Sequence, residues 1–77
     1  MKKLTQDVFE NAPEWVRSAA VSREGLAYFY ECKASELHPH PYRHAPPFTA
    51  SDFEIANMDF YDTTNWQNSA IDREVQP

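Results

Sequence analysis

Four side chains that can bind zinc lie near one another in the middle of the chain: Cys32, His38, His40 and His44. Thiolate and imidazole are the ligands of structural zinc sites, and four of them complete a tetrahedral site. Zinc knuckles have paired ligands at both ends, whereas here the single cysteine stands alone. The pattern leaves open a zinc site that stabilises the fold and a polar surface loop beside a buried cysteine. We favour the second interpretation and expect no metal or other cofactor.

Cys32 can also be considered as a nucleophile activated by a histidine. That chemistry needs a thiolate stabilised by a nearby imidazole, together with donors for an oxyanion. The sequence has no glycine-rich turn beside Cys32, and a free cysteine on a strand usually packs as a small hydrophobic side chain. A domain this small also leaves little room for a pocket of about 300 Å³. We therefore expect that the protein is not an enzyme.

The acidic residues are concentrated in the second half of the chain. The net charge is −5, from 12 acidic and 7 basic residues, and residues 39–77 contribute −4 of it. An acidic half repels phosphate, so nucleic acid is an unfavourable partner and a basic protein surface is a suitable one. The run Asp52, Glu54, Asp59 and Asp62 contains no base. It is either a solvated edge that discourages aggregation or a patch that docks on a basic partner.

Aromatic residues make up 14% of the chain, and aromatic side chains dominate the binding energy of many interfaces. A first interpretation places five of them in the core: Trp15, Phe29, Phe53, Phe60 and Trp66. A second uses the tyrosines for binding a protein, and a third uses them to stack single-stranded nucleic acid beside the N-terminal bases. The predicted partner-binding residues are four aromatic or loop residues and three acids: Tyr28, Tyr30, Tyr42, His44, Glu54, Asp59 and Asp62.

The elements that position these residues begin with an antiparallel hairpin over residues 15–21 and 26–32. Gly25 is the only glycine in the chain, and it lies where a hairpin turn requires a positive φ. Both faces of the second strand have apolar side chains, so we expect this strand to be central or to meet a partner. The alternation of apolar and polar residues over 53–61 predicts a third strand, either continuous or interrupted near Asn57.

Two short helical turns are predicted outside the strands. Thr5 is expected to cap the first, which docks on the core through Val8 and Phe9. Asp62 or Thr63 is expected to cap the second, near Trp66. Residues 34–50 contain four prolines and three histidines, and are predicted to form a loop with no regular element. The prediction is a single α+β domain over residues 1–77, with the hairpin, one or two further strands and these turns.

Cysteine content and the N-terminal residues predict the compartment. A single cysteine allows no internal disulfide, and Lys2 and Lys3 are followed by polar residues instead of an apolar run. We therefore expect neither a signal peptide nor a membrane span, and a cytoplasmic protein.

Three motifs stand out in residues 3–33 and 60–74: Pro13-Glu14-Trp15, the turn ending in Gly25, and Asn65-Trp66-Gln67-Asn68-Ser69. Over these two segments the chain resembles a group of small, mostly uncharacterised proteins of tailed bacteriophages and prophages of enteric bacteria. Proteins of the group end in a segment like Asp-Trp-Gln-Asn-Ser-Leu-Ile-Glu-Arg. This chain departs from the group at Ser22, at Ala34 and in its longer loop of histidines and prolines. The resemblance implies a phage origin and a bacterial host cytoplasm, and it supplies no catalytic residue.

These observations predict an accessory phage protein that binds a host protein in stoichiometric amounts. The target would be a protein with a basic surface, such as a defence nuclease or another host enzyme that the protein inhibits. Two alternatives remain open: a small nucleic-acid-binding module that uses the tyrosines and N-terminal bases, and a zinc-stabilised structural protein. The oligomeric state is not predicted.

Overall fold

The computed structural model describes residues 2–39, 41–45 and 53–74. Its strands are β1 (Ser18–Val21), β2 (Ala27–Tyr30), β3 (His38–Pro39), β4 (His44–Ala45), β5 (Phe53–Ile55) and β6 (Ile71–Asp72). Four of them form an antiparallel sheet in the order β5-β2-β1-β6, while β3 and β4 form a separate two-stranded ribbon. Asp52 and His40 lie outside the described residues, as do residues 46–50 of the predicted loop.

The predicted hairpin is confirmed, with strands shorter than expected. Its register pairs Ser18 with Tyr30 and Val21 with Ala27. Gly25 has a φ of 91°, and its N–H donates to the Ser22 carbonyl oxygen at 3.0 Å. A Cβ on Gly25 would lie 3.1 Å from the Tyr61 carbonyl oxygen. The turn therefore requires glycine both for its backbone conformation and for the close approach of the chain beside it.

The central position of β2 is confirmed, because it pairs with β1 on one side and with β5 on the other. The third strand is much shorter than the predicted 53–61. It ends at Ile55, and the Ala56 N–H makes one more bond to the Ala27 carbonyl oxygen at 2.9 Å. Asn57 then accepts a hydrogen bond from the Asp59 N–H at 2.9 Å. This local turn competes with the strand and leads the chain out of the sheet.

The helical content of the described residues consists of three 3₁₀ turns, Gln6–Phe9, Ala34–Glu36 and Trp66–Asn68. The term α+β therefore fits the domain only loosely, since the described strands pair antiparallel and the described helices are short 3₁₀ turns. None of the helices in the described part of the chain is long and apolar enough to cross a membrane.

Both predictions of helix caps are wrong in detail. Thr5 does precede the first turn, in an extended conformation, but its side chain makes no capping hydrogen bond. The turn at Trp66 begins after Asn65, not after Asp62 or Thr63. Asp62 instead accepts hydrogen bonds from the N–H and the hydroxyl of Thr64, at 2.9 and 2.6 Å. Because the Asp62 carboxylate is bonded to Thr64, it does not cap the helical turn at Trp66.

The segment 34–50 contains more regular structure than predicted. It begins with the 3₁₀ turn Ala34–Glu36, and the ribbon of β3 and β4 follows, with His38 opposite Ala45 and Pro39 opposite His44. Proline is tolerated here because the ribbon is short and Pro39 lies at its edge. The prediction of a loop without any element is therefore wrong for the described part of this segment.

The core lies on both faces of the sheet, and alanines pack at its centre. On the first face the N-terminal segment covers Ala19 and Phe29, and the Phe9 ring stacks on Phe29 with centroids 6.1 Å apart. On the second face Leu37 covers Ala20 and Tyr30. Of the five aromatic residues that one interpretation placed in the core, Phe53 is exposed by 40% and Phe60 by 64%, and Phe29 is the one that is buried. Small residues in β1 let the covering segments approach closely, and the other buried aromatic residues in the described part of the chain are Phe9, Tyr30 and Tyr61.

Candidate protein-binding surface

The segment of residues 53–60, which we call the edge segment, has an unusual number of exposed apolar side chains. Phe53, Ile55, Met58 and Phe60 are exposed by 40%, 43%, 74% and 64%. In the described part of the chain, Tyr42 is the one other large hydrophobic residue with comparable exposure, 63%. Scattered apolar residues are normal on a surface, whereas several in one short segment mark a site for interaction.

The backbone of β5 has an edge that faces away from the sheet. The Ala56 N–H bonds to Ala27, and the register continues with Glu54 opposite Phe29. Because hydrogen-bonded pairs alternate in an antiparallel ladder, Glu54 directs its N–H and C=O toward β2. Phe53 and Ile55 direct theirs outward. Within the described residues no strand pairs with this outer edge.

Three aromatic rings and a cation meet on the second face of the sheet beside this edge. The ring of Phe53 lies 6.3 Å from that of Tyr28 and 6.1 Å from that of Tyr30. The Arg43 guanidinium lies 4.6 Å from the Phe53 ring centroid, close enough for a cation–π contact. Phe53 is thus held in place while two fifths of its surface stays exposed.

The three predicted acids are described, and each has a different environment. Glu54 is exposed on β5, and the ion pair found among the described residues does not include it. Asp59 accepts a hydrogen bond from the Lys2 ammonium at 2.8 Å, and this bond raises the pKa of Lys2. Hydrogen bonds from Thr64 lower the pKa of Asp62. Of the three, Glu54 therefore has the acidic charge most available to a partner, because Asp59 and Asp62 already take part in bonds within the chain.

Two of the predicted binding residues are buried. Tyr30 has no exposed surface, and its hydroxyl donates to the His44 carbonyl oxygen at 2.8 Å. Burial raises the pKa of its phenol. His44 is 2% exposed, and its Nε2 lies 2.8 Å from the Trp66 carbonyl oxygen. That nitrogen must donate, since a carbonyl oxygen only accepts. Both residues connect the ribbon to the sheet, and neither is accessible to a partner.

Tyr28 and Tyr42 remain available at the surface. Tyr28 is half-buried on β2, next to Phe53, and Tyr42 is exposed in the ribbon turn. The Tyr42 carbonyl oxygen accepts a hydrogen bond from the Arg23 N–H at 2.8 Å, so the ribbon turn is fixed to the hairpin. Because the loop is already ordered in the free protein, less conformational entropy is lost when it binds a partner.

The candidate zinc ligands do not converge within the described residues, where no group of three or more His, Cys, Asp or Glu side chains could hold a metal. Cys32 is half-buried and packs against the second-face cluster, and burial raises the pKa of its thiol. His38 is exposed on β3, whereas His44 is buried. A raised pKa keeps the thiol protonated, which is the opposite of what an activated nucleophile requires.

The expectation that the chain has little room for a pocket of about 300 Å³ is wrong. One cavity of about 390 Å³ lies between the N-terminal segment and residues 56–61. Phe29 and Val8 belong to its lining, as do the carboxylates Asp7 and Glu10. A second, more open cavity of about 400 Å³ lies between residues 3–4 and the C-terminal segment. Neither lining contains histidine or cysteine.

The sequence reasoning missed the apolar part of the surface. One of its interpretations placed Phe53 in the core, and it gave Ile55 and Met58 no role. The alternation of Phe53, Glu54 and Ile55 predicted a strand, but it does not reveal that the strand lies at the edge of the sheet. An edge position follows from the order in which strands pair, which depends on distant parts of the chain.

Comparisons with known proteins give no relative for this chain: no family model matches it, and searches of curated proteins and of solved structures find no similar protein.

Proposed function

We propose that this protein acts by stoichiometric binding to another protein that has a basic surface, and that it is not a catalyst. In the form that the resemblance to phage proteins suggests, it is a phage accessory factor in the cytoplasm of a bacterial host. Its target would be a host protein, such as a defence nuclease or another enzyme that the binding inhibits.

The observation that supports the proposal most is the edge segment. Four apolar side chains exposed by at least 40% occur within eight residues, and Glu54 adds an acidic charge among them. Apolar anchors supply most of the energy of a typical interface. Acidic charge around such anchors speeds association with a basic surface and disfavours acidic competitors.

The overall charge supports a basic protein in preference to nucleic acid. The chain has a net charge of −5, which repels phosphate. Two cations that could have bound phosphate have other contacts, since Lys2 pairs with Asp59 and Arg43 lies over Phe53. Tyr30, which a stacking platform for bases would use, is buried.

The test is capture of partners from host lysate by the tagged protein, with and without nuclease, followed by binding of each purified partner. We expect one dominant protein that is retained after nuclease treatment and binds with a simple stoichiometry. Capture that is lost with nuclease would contradict the proposal in favour of a nucleic-acid module.

Surface variants make this test specific. Met58→Ser and Phe60→Ser remove exposed apolar side chains, and Glu54→Lys reverses the available charge. We expect each to weaken binding of the purified partner by about tenfold or more, the size typical of a contact in the centre of an interface. Glu14→Lys is the matched control, because Glu14 is exposed and its neighbour Pro13 contacts Arg73 beside β6, at the opposite edge of the sheet. Unchanged binding by all three surface variants would overturn the assignment of the surface.

A further inference from the structure

The outer edge of β5 has the backbone groups that an added strand would need. Phe53 and Ile55 each direct an N–H and a C=O away from β2, as the register with β2 requires. A partner segment that runs antiparallel to β5 could bond to all four groups. Addition of a strand to an exposed sheet edge is a common way of recognising extended segments.

The side chains of β5 specify what the added strand should contain. Residues opposite Phe53 and Ile55 would lie on the second face of the sheet, beside Tyr28 and Tyr30, because directly opposed residues share a face. Phe53 and Ile55 are both partly exposed there. Apolar residues in these two positions of the partner would therefore cover the apolar part of the edge.

The position opposite Glu54 calls for a basic residue. Glu54 shares the first face with Phe29, its partner in the register, and its pair with the added strand would be the closer, non-hydrogen-bonded kind. Phe29 also lines the 390 Å³ cavity, whose lining includes Asp7 and Glu10 as well as the cations Lys2 and Lys3. Because Lys2 is paired with Asp59, the lining offers two carboxylates, Asp7 and Glu10, against one remaining cation, Lys3. A long basic side chain of the added strand that reaches over Phe29 would therefore meet more negative than positive charge.

A second copy of this chain is disfavoured at this edge in the register that pairs the two β5 strands over their full length. In the two-fold antiparallel arrangement that places Phe53 opposite Ile55 of the copy, Glu54 lies directly opposite Glu54. Like charges in directly opposed positions destabilise a strand pair. Charge on an edge strand is also a common means by which proteins avoid pairing with themselves.

We propose that the outer edge of β5 binds an extended segment of the partner by strand addition, with an apolar-basic-apolar pattern opposite Phe53, Glu54 and Ile55. This inference rests on the proposed function and specifies its partner: a protein that presents a basic extended segment or strand edge.

The experiment uses the whole ¹⁵N-labelled protein and two capped peptides, one alternating valine with lysine and the other alternating valine with glutamate. Without peptide, we expect the amides of Phe53 and Ile55 to exchange quickly with solvent and the amide of Glu54 to exchange slowly. The lysine peptide should shift and protect the Phe53 and Ile55 amides, whereas the glutamate peptide should bind about tenfold more weakly or not at all.

Two variants at Ile55 separate backbone pairing from contact by side chains. Ile55→Pro removes the outward N–H and leaves the ladder to β2 intact, since proline is accepted where an edge N–H faces solvent. Ile55→Ala keeps that N–H. We expect Ile55→Pro to weaken peptide binding roughly tenfold relative to Ile55→Ala. The interfacial hydrogen bond is lost, and the proline ring obstructs the added strand.

Three results would overturn the inference. They are slow exchange of the Phe53 and Ile55 amides in the free protein, absence of any shift with the lysine peptide, and equal binding by the two Ile55 variants. None of these contradicts the proposed function, which stands if a nuclease-resistant protein partner is captured. Conversely, if no protein partner is captured while the lysine peptide binds as expected, the strand-addition site stands and the stoichiometric role fails.

Discussion

The phenol of Tyr30 connects the sheet to the ribbon. Its hydroxyl donates to the His44 carbonyl oxygen at 2.8 Å, and the side chain is fully buried. Tyr30→Phe keeps the ring but leaves that carbonyl oxygen without the phenol as donor. We expect the free energy of unfolding to fall by about 1 kcal/mol, the usual net value of such a bond. Urea unfolding measures it.

Tyr42→Phe is the control for this change, because the Tyr42 side chain is exposed by 63%. We expect its unfolding free energy to match that of the original protein. Equal stability of the Tyr30→Phe variant and the control would show that the bond to His44 contributes nothing to stability.

The carboxylate of Asp62 gives a prediction about pH. The hydroxyl and N–H of Thr64 hold the pKa of Asp62 below its ordinary value of 3.8. A carboxyl group whose pKa is lower in the folded than in the unfolded protein stabilises the fold when it is ionised. This stabilisation is fully present at pH values above the pKa of the unfolded state, and it is lost as the pH falls through the pKa of the folded state. Thr64→Val removes the hydroxyl and keeps the N–H. We expect the pKa of Asp62 to rise toward its ordinary value without reaching it, as measured by a carboxyl NMR titration.

Thr63→Val removes the neighbouring hydroxyl, which makes no hydrogen bond to Asp62 among the described residues. The pKa of Asp62 should stay unchanged in this variant. If the two valine variants titrate alike, the hydroxyl of Thr64 is not the cause of the shift.

The hairpin turn is the element whose geometry depends most on a single residue. Gly25→Ala would force a residue with a Cβ into a φ of 91°, with that Cβ 3.1 Å from the Tyr61 carbonyl oxygen. We expect a loss of about 1–2 kcal/mol from the left-handed conformation alone, and more from the close contact. Glu24→Ala, at the exposed neighbouring position, should have little effect on urea unfolding. Equal stability of the two variants would contradict this account of the turn.

The elements that could be predicted from sequence are those that local chemistry determines. The hairpin follows from Gly25 and the two flanking β-compatible runs, and the docking of the N-terminal turn follows from Phe9. The end of β5 was missed because Asn57 forms its own local turn. The burial of His44 was missed because its partner, the Trp66 carbonyl oxygen, lies 22 positions away in the chain. Contacts of that kind depend on the complete fold and leave no local pattern.

The candidate site divides in the same way. The sequence predicted an acidic surface, and Glu54 is exposed as that prediction requires. It did not predict the apolar neighbours of Glu54, because residues such as Phe53 and Ile55 have the same pattern in a buried strand and in an edge strand. Whether such a residue is covered depends on the number and order of strands in the sheet.

At the scale of the molecule, short covering segments bury the central part of both faces of a small sheet. Residues 4–16 cover the first face, and Leu37 with the segment around Ala70 covers the second. Within the described residues, no strand pairs with the outer edge of β5. An uncovered apolar edge promotes aggregation, so the molecule needs a feature that prevents it from pairing with itself.

We expect Glu54 to be that feature. Glu54→Val would create three consecutive apolar residues on the edge and remove the repulsion that opposes pairing of two copies. We expect the variant to associate with itself as its concentration rises, in sedimentation equilibrium, while the original protein sediments as a monomer. Glu14→Val, which removes the same charge near the opposite edge of the sheet, should also remain a monomer. Self-association of both variants would assign the effect to net charge, and self-association of neither would show that Glu54 does not protect the edge.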